Sequence, residues 1–250
     1  MEKIIYYLLN RFVMTNVEKE ILSHMKNKNQ VIFDIGCYKG YFTKGIIGND
    51  KKNLKNKKFY LFDGNPNSKK FLKDLLNNKN IRFYNLAIHN TNSNKNYYIN
   101  NFFEPSGSSL IPIYNKDLMW NLTRKIFMKI FNPLKKISGY SKVKVKTQTL
   151  DTFCRKKKIK KIDLLKIDTE GNEYNVLQGT KTLLKKNKIF VIYMEISDTK
   201  RNYIKKEKKI INFLKRFNFE LVSSYKMKSF SILSGLRAND NIFVNRNLIN

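Results

Sequence analysis

The stretch Val31-Ile32-Phe33-Asp34-Ile35-Gly36-Cys37-Tyr38-Lys39-Gly40-Tyr41-Phe42 constrains the fold of this chain more than any other. Residues suited to a buried strand run into Asp34, and Gly36 and Gly40 follow. That order predicts a strand ending in a tight glycine turn that opens a helix. In open α/β sheets, nucleotide-like cofactors sit at such turns. Gly36 can take backbone angles closed to other residues and lets a ligand approach the chain. The spacing is D-x-G-x-x-x-G. Cys37 and Tyr38 stand where further glycines would admit a pyrophosphate, so the turn suits a cofactor without one. Taken alone, it is as readily only a turn.

Strand-like and helix-like segments alternate along the rest of the chain. Gln30–Ile35, Lys58–Phe62 and Ile81–Ile88 read as three strands, separated by helices over Tyr41–Ile47 and from Pro66 to about Leu76. Later, Ile162–Ile167 and Ile189–Met194 read as strands, with a helix through Glu173–Leu184 between them. Ile204–Phe217 reads as a helix, and Phe219–Ser223 and Asn241–Val244 as closing strands. Such alternation predicts an α/β fold, a mostly parallel sheet with helices on both faces. Residues 90–146 break the rhythm, with no clean βα unit. There Leu118, Leu122, Ile126, Ile130 and Leu134 recur every four residues, the pattern of an amphipathic insertion helix that caps the cofactor edge or packs on its own domain. The expected organisation is an N-terminal amphipathic helical segment over 1–29 and one domain over 30–250, with 90–146 as insertion and substrate cap.

Composition matters chiefly through charge. The chain has 250 residues, enough for a sizeable core, and a formal net charge of +31. Such charge suits an anionic membrane or nucleic acid. Lysines are nonetheless spread along the whole chain, in company with abundant Asn, Ile, Phe and Tyr, which fits A/T-rich coding equally well. Cys37 and Cys154 form neither a disulfide framework nor a metal motif. A reduced, cytoplasmic setting is expected, with peripheral contact to an anionic membrane as an option through Met1–Met14 or the Leu118–Leu134 helix. His24 and His89 read as structural or surface residues, and no apolar run is long enough to span a bilayer.

Three acids end strands. Asp34 closes the first, Asp63 the second and Asp168 the fourth core strand. A carboxylate at the end of strand two can accept from two ribose hydroxyls at once. Asp63 comes later than the roughly 20 residues usual for that role, because of the lysine-rich 51–58 loop. Ligands in such sheets bind beyond the carboxyl ends of the strands, so all three acids are expected to face one crevice. Lys166 lies two residues before Asp168, and strand alternation points both to one face.

These residues resemble a family. Phe33-Asp34-Ile35-Gly36-Cys37-Tyr38-Lys39-Gly40 looks like the first motif of the FkbM-type S-adenosyl-L-methionine-dependent methyltransferases. Thr149-Leu150-Asp151-Thr152-Phe153, then Leu165-Lys166-Ile167-Asp168-Thr169-Glu170-Gly171-Asn172-Glu173, then Val176-Leu177-Gln178-Gly179 resemble its later motifs. Ser108-Ser109-Leu110 resembles its serine pair, and Glu195 its acid after the fifth strand. The chain departs from the family at Cys37-Tyr38, often Ala-Asn, and at Asp63-Gly64, often Glu-Pro. The resemblance implies a class I methyltransferase, Rossmann-like fold with seven strands, the last antiparallel, and a helical insertion between strands three and four.

It also implies S-adenosyl-L-methionine as cofactor and a hydroxyl-bearing acceptor, such as a sugar, a lipid-linked glycan or another small molecule. Asp34, Gly36, Cys37, Gly40 and Asp63 are expected at the cofactor, with the backbone around Asn85 to Ala87 beside the adenine. Asp168, Glu170, Glu195 and Lys166 are the catalytic candidates, and Glu173 reads as helix-stabilising. Asp168 and Glu195 could together hold a divalent cation, but no spacing requires a metal. An RNA methyltransferase and a non-catalytic membrane-binding scaffold are the competing readings.

Overall fold

The computed structural model describes residues 16–25, 27–100, 107–111, 140–226 and 236–248. The expected helix over 118–134 and the Met1–Met14 segment lie outside them. Residues 16–24 form α1. They are followed by β1 (Gln30–Ile35), α2 (Tyr41–Asn49), β2 (Lys57–Asp63), α3 (Lys73–Leu76), β3 (Ile81–Asn85), β4 (Ala87–Ile88) and β5 (Ser93–Asn100). Next come β6 (Tyr140–Gln148), α4 (Leu150–Lys156), β7 (Ile162–Ile167), α5 (Glu173–Gln178), α6 (Lys181–Lys185), β8 (Ile189–Thr199), α7 (Lys200–Lys215), β9 (Phe219–Lys226) and β10 (Leu236–Asn245).

Seven strands form one sheet in the order β3-β2-β1-β7-β8-β10-β9. Only β10 runs against its neighbours, pairing antiparallel with β8 and with β9. Strands of such a sheet are buried on both faces, which is why they read as apolar runs. On one face Val17 and Ile21 of α1, Phe42 and Ile46 of α2, and Leu72 and Leu75 pack on Ile32, Phe59, Leu164 and Val191. On the other, α4, α5, α6 and α7 bring Phe153, Val176, Leu184 and Phe213 against Phe33, Phe62 and Leu165. Phe33 is fully buried, with the rings of Tyr60, Phe62 and Phe153 within 6.0 Å of its own. Truncating such a residue to alanine costs about 3–5 kcal/mol.

Four sequence expectations change. The helix expected from Pro66 to about Leu76 is a 3-10 turn over Ser68–Phe71 followed by α3. The 81–88 strand is two strands: the Leu86 amide donates to the Asp63 carbonyl (3.0 Å), and β4 then leaves to join a second sheet. The 173–184 helix is also two. Thr180 turns its hydroxyl back onto the Val176 and Leu177 carbonyls (2.7 and 2.9 Å) and ends α5. The 90–146 insertion, expected to be helical, contains β5 and β6, which with β4 form a three-stranded sheet in the order β4-β6-β5. Its physical cause is the period-two alternation Lys142-Val143-Lys144-Val145-Lys146. No helix among the described residues is long and apolar enough to cross a membrane.

Candidate active site

The carboxyl ends of β1, β2 and β7 meet under the small sheet. Gly36 turns β1 into the following loop at φ 78°, and a Cβ there would lie 1.7 Å from the Asp168 carbonyl oxygen. The position therefore needs glycine on both counts, conformation and space. Gly40 opens α2 at φ 71°, where a Cβ would press into Leu75 and Leu72. Gly36 thus brings two strand exits together, and Gly40 seats α2 on the 72–75 segment.

Lys166 links those exits. Its ammonium lies 3.2 Å from Asp34 Oδ1 and 3.3 Å from Asp168 Oδ2, and it donates to the Gly36 carbonyl at 2.8 Å. Burial by itself would lower the Lys166 pKa, but the negative charges of Asp34 and Asp168 outweigh it and hold the lysine above its usual range. Lys166 is 5 % exposed and Asp34 is fully buried. Thr43 donates to Asp34 Oδ2 at 2.8 Å. Asp34 therefore stands beneath the turn, anchoring Lys166 and α2, and does not line the cavity above. The single crevice expected for three acids holds two.

That cavity is lined by Gly36, Tyr38, Asp63, Gly64, Leu86, Ala87 and Ile88, together with Tyr97, Ser108, Leu110, Asp168, Thr169 and Glu170. Asp63 accepts from the amides of Tyr38 (2.8 Å) and Asn65 (2.7 Å), one on each carboxylate oxygen. Oδ1 also lies 3.5 Å from the Tyr97 hydroxyl, so a ligand hydroxyl would share this carboxylate with Tyr97. Burial raises the Asp63 pKa, and those backbone hydrogen bonds pull against it. The Asn85 side chain donates to the carbonyls of Asp63 and Asn65 (2.9 and 3.1 Å), so it fixes the β2 exit from outside the cavity wall. Cys37 is buried among apolar side chains on the α2 side and also lies off the wall, with its thiol pushed well up by burial. A carboxylate beside an apolar slot of Leu86, Ala87 and Ile88 fits a group with ribose hydroxyls and an adenine ring.

Asp168 keeps one third of its side chain exposed, whereas Asp34, across Lys166, is fully buried. Burial raises its pKa against the pull of Lys166, and Glu173 adds to the rise. Glu170 lines the cavity in a left-handed conformation, φ 54°. Such a conformation is uncommon for a residue with a side chain and clusters at functional sites. Glu195 is in register with Asp240 of the neighbouring strand. Burial, then the charges of Asp168, Glu170 and Asp240, push its pKa well up, so it holds a proton more tightly than an ordinary glutamate. Glu173 is buried and accepts from the amides of Thr169 and Gly171 (3.3 and 2.8 Å) and from the Thr169 hydroxyl, while Lys206 pairs with it at 2.8 Å. It shapes the 169–171 turn. Asp151 has a comparable structural task, capping α6 through the amides of Thr182 and Leu183 (2.8 and 3.0 Å).

Tyr97 and Asp240 were not legible as site residues. The Tyr97 hydroxyl donates to the Ser108 carbonyl (3.1 Å) and lies 3.5 Å from Asp63. The Ser109 hydroxyl donates to the Thr169 carbonyl (3.0 Å). Together they fasten the small sheet over the cavity. Alternation in Tyr97-Tyr98-Ile99 was the available signal; for Asp240, inside a polar run, there was none.

A model of the Methyltransferase FkbM domain matches residues 34–221. The chain belongs to the FkbM methyltransferase family. It is an S-adenosylmethionine-dependent methyltransferase of the class I fold. The 2-O-methyltransferase NoeI of Sinorhizobium fredii is 26% identical over 189 residues, 73% of this chain and 69% of that protein. The crystal structure of the methyltransferase FkbM from Methylobacillus flagellatus KT superposes with a TM-score of 0.53 at 9% identity. The match covers 87% of this FkbM chain and 44% of that one, so the chain spans less than half of its solved relative.

Proposed function

We propose that this FkbM methyltransferase transfers a methyl group to a hydroxyl of a sugar, a lipid-linked glycan or another small molecule, with Asp168 as the base. One observation carries the assignment: Asp168 is a one-third-exposed carboxylate on the cavity wall, held at 3.3 Å by a lysine that is otherwise buried. S-adenosylmethionine, when bound, would supply an electrophilic sulfonium methyl for the acceptor oxygen, with the neutral thioether as leaving group. Asp168 takes the acceptor's proton. Its raised pKa suits that task, because a base works best near the working pH. Lys166 fixes the carboxylate's position, and Asp34 fixes Lys166. Asp63 would hold the ribose hydroxyls, Leu86 to Ile88 would flank the adenine, and Gly36 lets the turn pack close. Glu170 lines the same wall and would orient the acceptor. Glu195, with its proton held tightly, is better suited to donating a hydrogen bond than to accepting a proton. The oxygen acceptor is also in keeping with the S. fredii relative, a 2-O-methyltransferase.

The test uses the methyl-labelled cofactor and fractionated glycan and metabolite extracts. Label should enter an alkali-stable ether, and Asp168→Asn should lower turnover about 10²–10⁴-fold while leaving cofactor affinity within about threefold. An Asp168→Asn enzyme with normal turnover removes Asp168 from the mechanism.

A further inference from the structure

The small sheet carries a face that the cofactor cavity does not use. In the antiparallel pairing of β5 with β6, Asn94 stands opposite Lys146, Asn96 opposite Lys144 and Tyr98 opposite Lys142. Cross-strand partners share a face, and alternate residues of one strand do too. Three ammonium groups therefore repeat about every 6.8 Å along β6, beside two amides and a phenol. Lys142, Lys144, Lys146, Asn94 and Asn96 are all exposed. Tyr97, next in the strand, points the other way, into the cavity wall. A groove on the lysine face is lined by Asn94, Asn96, Tyr98, Lys144 and Leu110, with Lys95 at its rim from the alternate position of β5. Leu110 also lines the cofactor cavity, so the two spaces share one residue of wall.

We infer that this ladder is an acceptor subsite for an acidic glycan, a chain of sugar rings bearing carboxylate or phosphate groups. The inference deepens the hydroxyl-acceptor reading above and rests on it for its link to catalysis. Evenly spaced cations on a rigid strand match evenly spaced anions on a polymer. Amides both donate to and accept from sugar hydroxyls, and a tyrosine ring offers an apolar surface with a polar tip. Single-stranded RNA is the competing polyanion. Its binding surfaces place aromatic rings along the path of successive bases. Here Tyr98 and Tyr140 lie together at one end of the face, and lysines and asparagines occupy the rest.

The experiment measures binding of three probes to the whole chain at about 0.1 M salt, where the Debye length is about 10 Å: oligogalacturonate, a neutral cello-oligosaccharide of equal length, and oligouridylate. The triple variant Lys142→Gln/Lys144→Gln/Lys146→Gln should bind oligogalacturonate at least ~10-fold more weakly, a loss that added salt diminishes. A charge-matched control, Lys185→Gln/Lys205→Gln/Lys208→Gln, alters exposed lysines elsewhere and should stay within about twofold of the native chain, each lost surface charge counting little at a distance. Equal weakening by both triples, or oligogalacturonate binding no better than the neutral chain, overturns the inference. So does a preference for oligouridylate that the ladder variant abolishes. Cofactor binding by calorimetry on the same samples separates the two claims. Loss of the ladder effect with cofactor binding intact removes the subsite alone. A native chain that binds no cofactor removes the methyl-transfer reading, whatever the ladder does.

Discussion

Replacing Lys166 by methionine tests the charge arrangement at its centre. At 3.2 Å from Asp34, two unit charges in an effective dielectric near 20 attract by about 5 kcal/mol. Desolvation of both groups consumes much of that, so the pair adds little net stability over an apolar substitute. Removing the cation alone is different. It leaves Asp34 fully buried with Thr43 as its remaining side-chain donor, and it strips the Gly36 carbonyl of a charged donor. Lys166→Met should therefore destabilise the fold by about 3–5 kcal/mol. Asp34→Asn/Lys166→Met removes both charges and should recover at least ~2 kcal/mol of that loss. Urea unfolding of the native chain, both single variants and the double variant gives the coupling energy directly, provided the denaturant slope stays constant. A Lys166→Met cost below ~1 kcal/mol, or single-variant effects that simply add, would refute the reasoning.

Other consequences can be measured in parallel. Asp63→Ala should weaken cofactor binding at least ~10-fold by calorimetry, since a doubly accepting charged group is lost; unchanged affinity would mean that the ribose lies elsewhere. Gly36→Ala should fail to reach the native fold at all, because the left-handed backbone costs about 1–2 kcal/mol and the added methyl would overlap the Asp168 carbonyl. A soluble Gly36→Ala protein with native thermal stability would contradict this. Burial pushes the Glu18 carboxyl up to about 7, against a smaller downward pull from Asn49. The unfolded carboxyl ionises near its ordinary value, so the native state pays for Glu18 increasingly as pH rises through that value, up to a plateau above about 7. Glu18→Gln should then stabilise by about 1–2 kcal/mol at pH 8, after allowance for partial solvation, and by almost nothing near pH 4. A stabilisation that is the same at both pH values would rule out the carboxylate as its cause.

How much could be read beforehand depended on where the information sits. β1 and β7 were legible to the residue, because both are short, mostly apolar central parallel strands, ended by Gly36 after β1 and by Asp168 after β7. β10 was recognised only over its apolar end. Leu236–Asn241 is rich in polar residues, and it is a strand because β8 and β9 flank it, not because its own composition favours one. The β5 and β6 alternation was present but outweighed by the turn residues between them. At the site, Asp168 and Lys166 were legible together since Lys166 is in β7 and Asp168 directly follows its last residue. The burial of Asp34 was not, because it depends on Lys166 and Thr43, which are distant in sequence or on another element. Tyr97 meets Asp63 only through the small sheet, a contact that no local pattern encodes.

The small sheet has a further implication, for the order in which the molecule assembles. β4 pairs with β6 across sixty positions of chain through two residue pairs, to which the His89 amide adds a bond to the Gln148 carbonyl (3.0 Å). So few contacts yield little local stability for the loop they close. The seven-stranded sheet, with its continuous pairing and two apolar layers, does not depend on it. We expect the roof to form last and to open first, as a sub-global unit whose amides exchange ahead of those in β1, β7 and β8. A cavity roofed in this way can admit a bulky ligand by loosening Tyr97 and Ser109 while the main sheet stays folded.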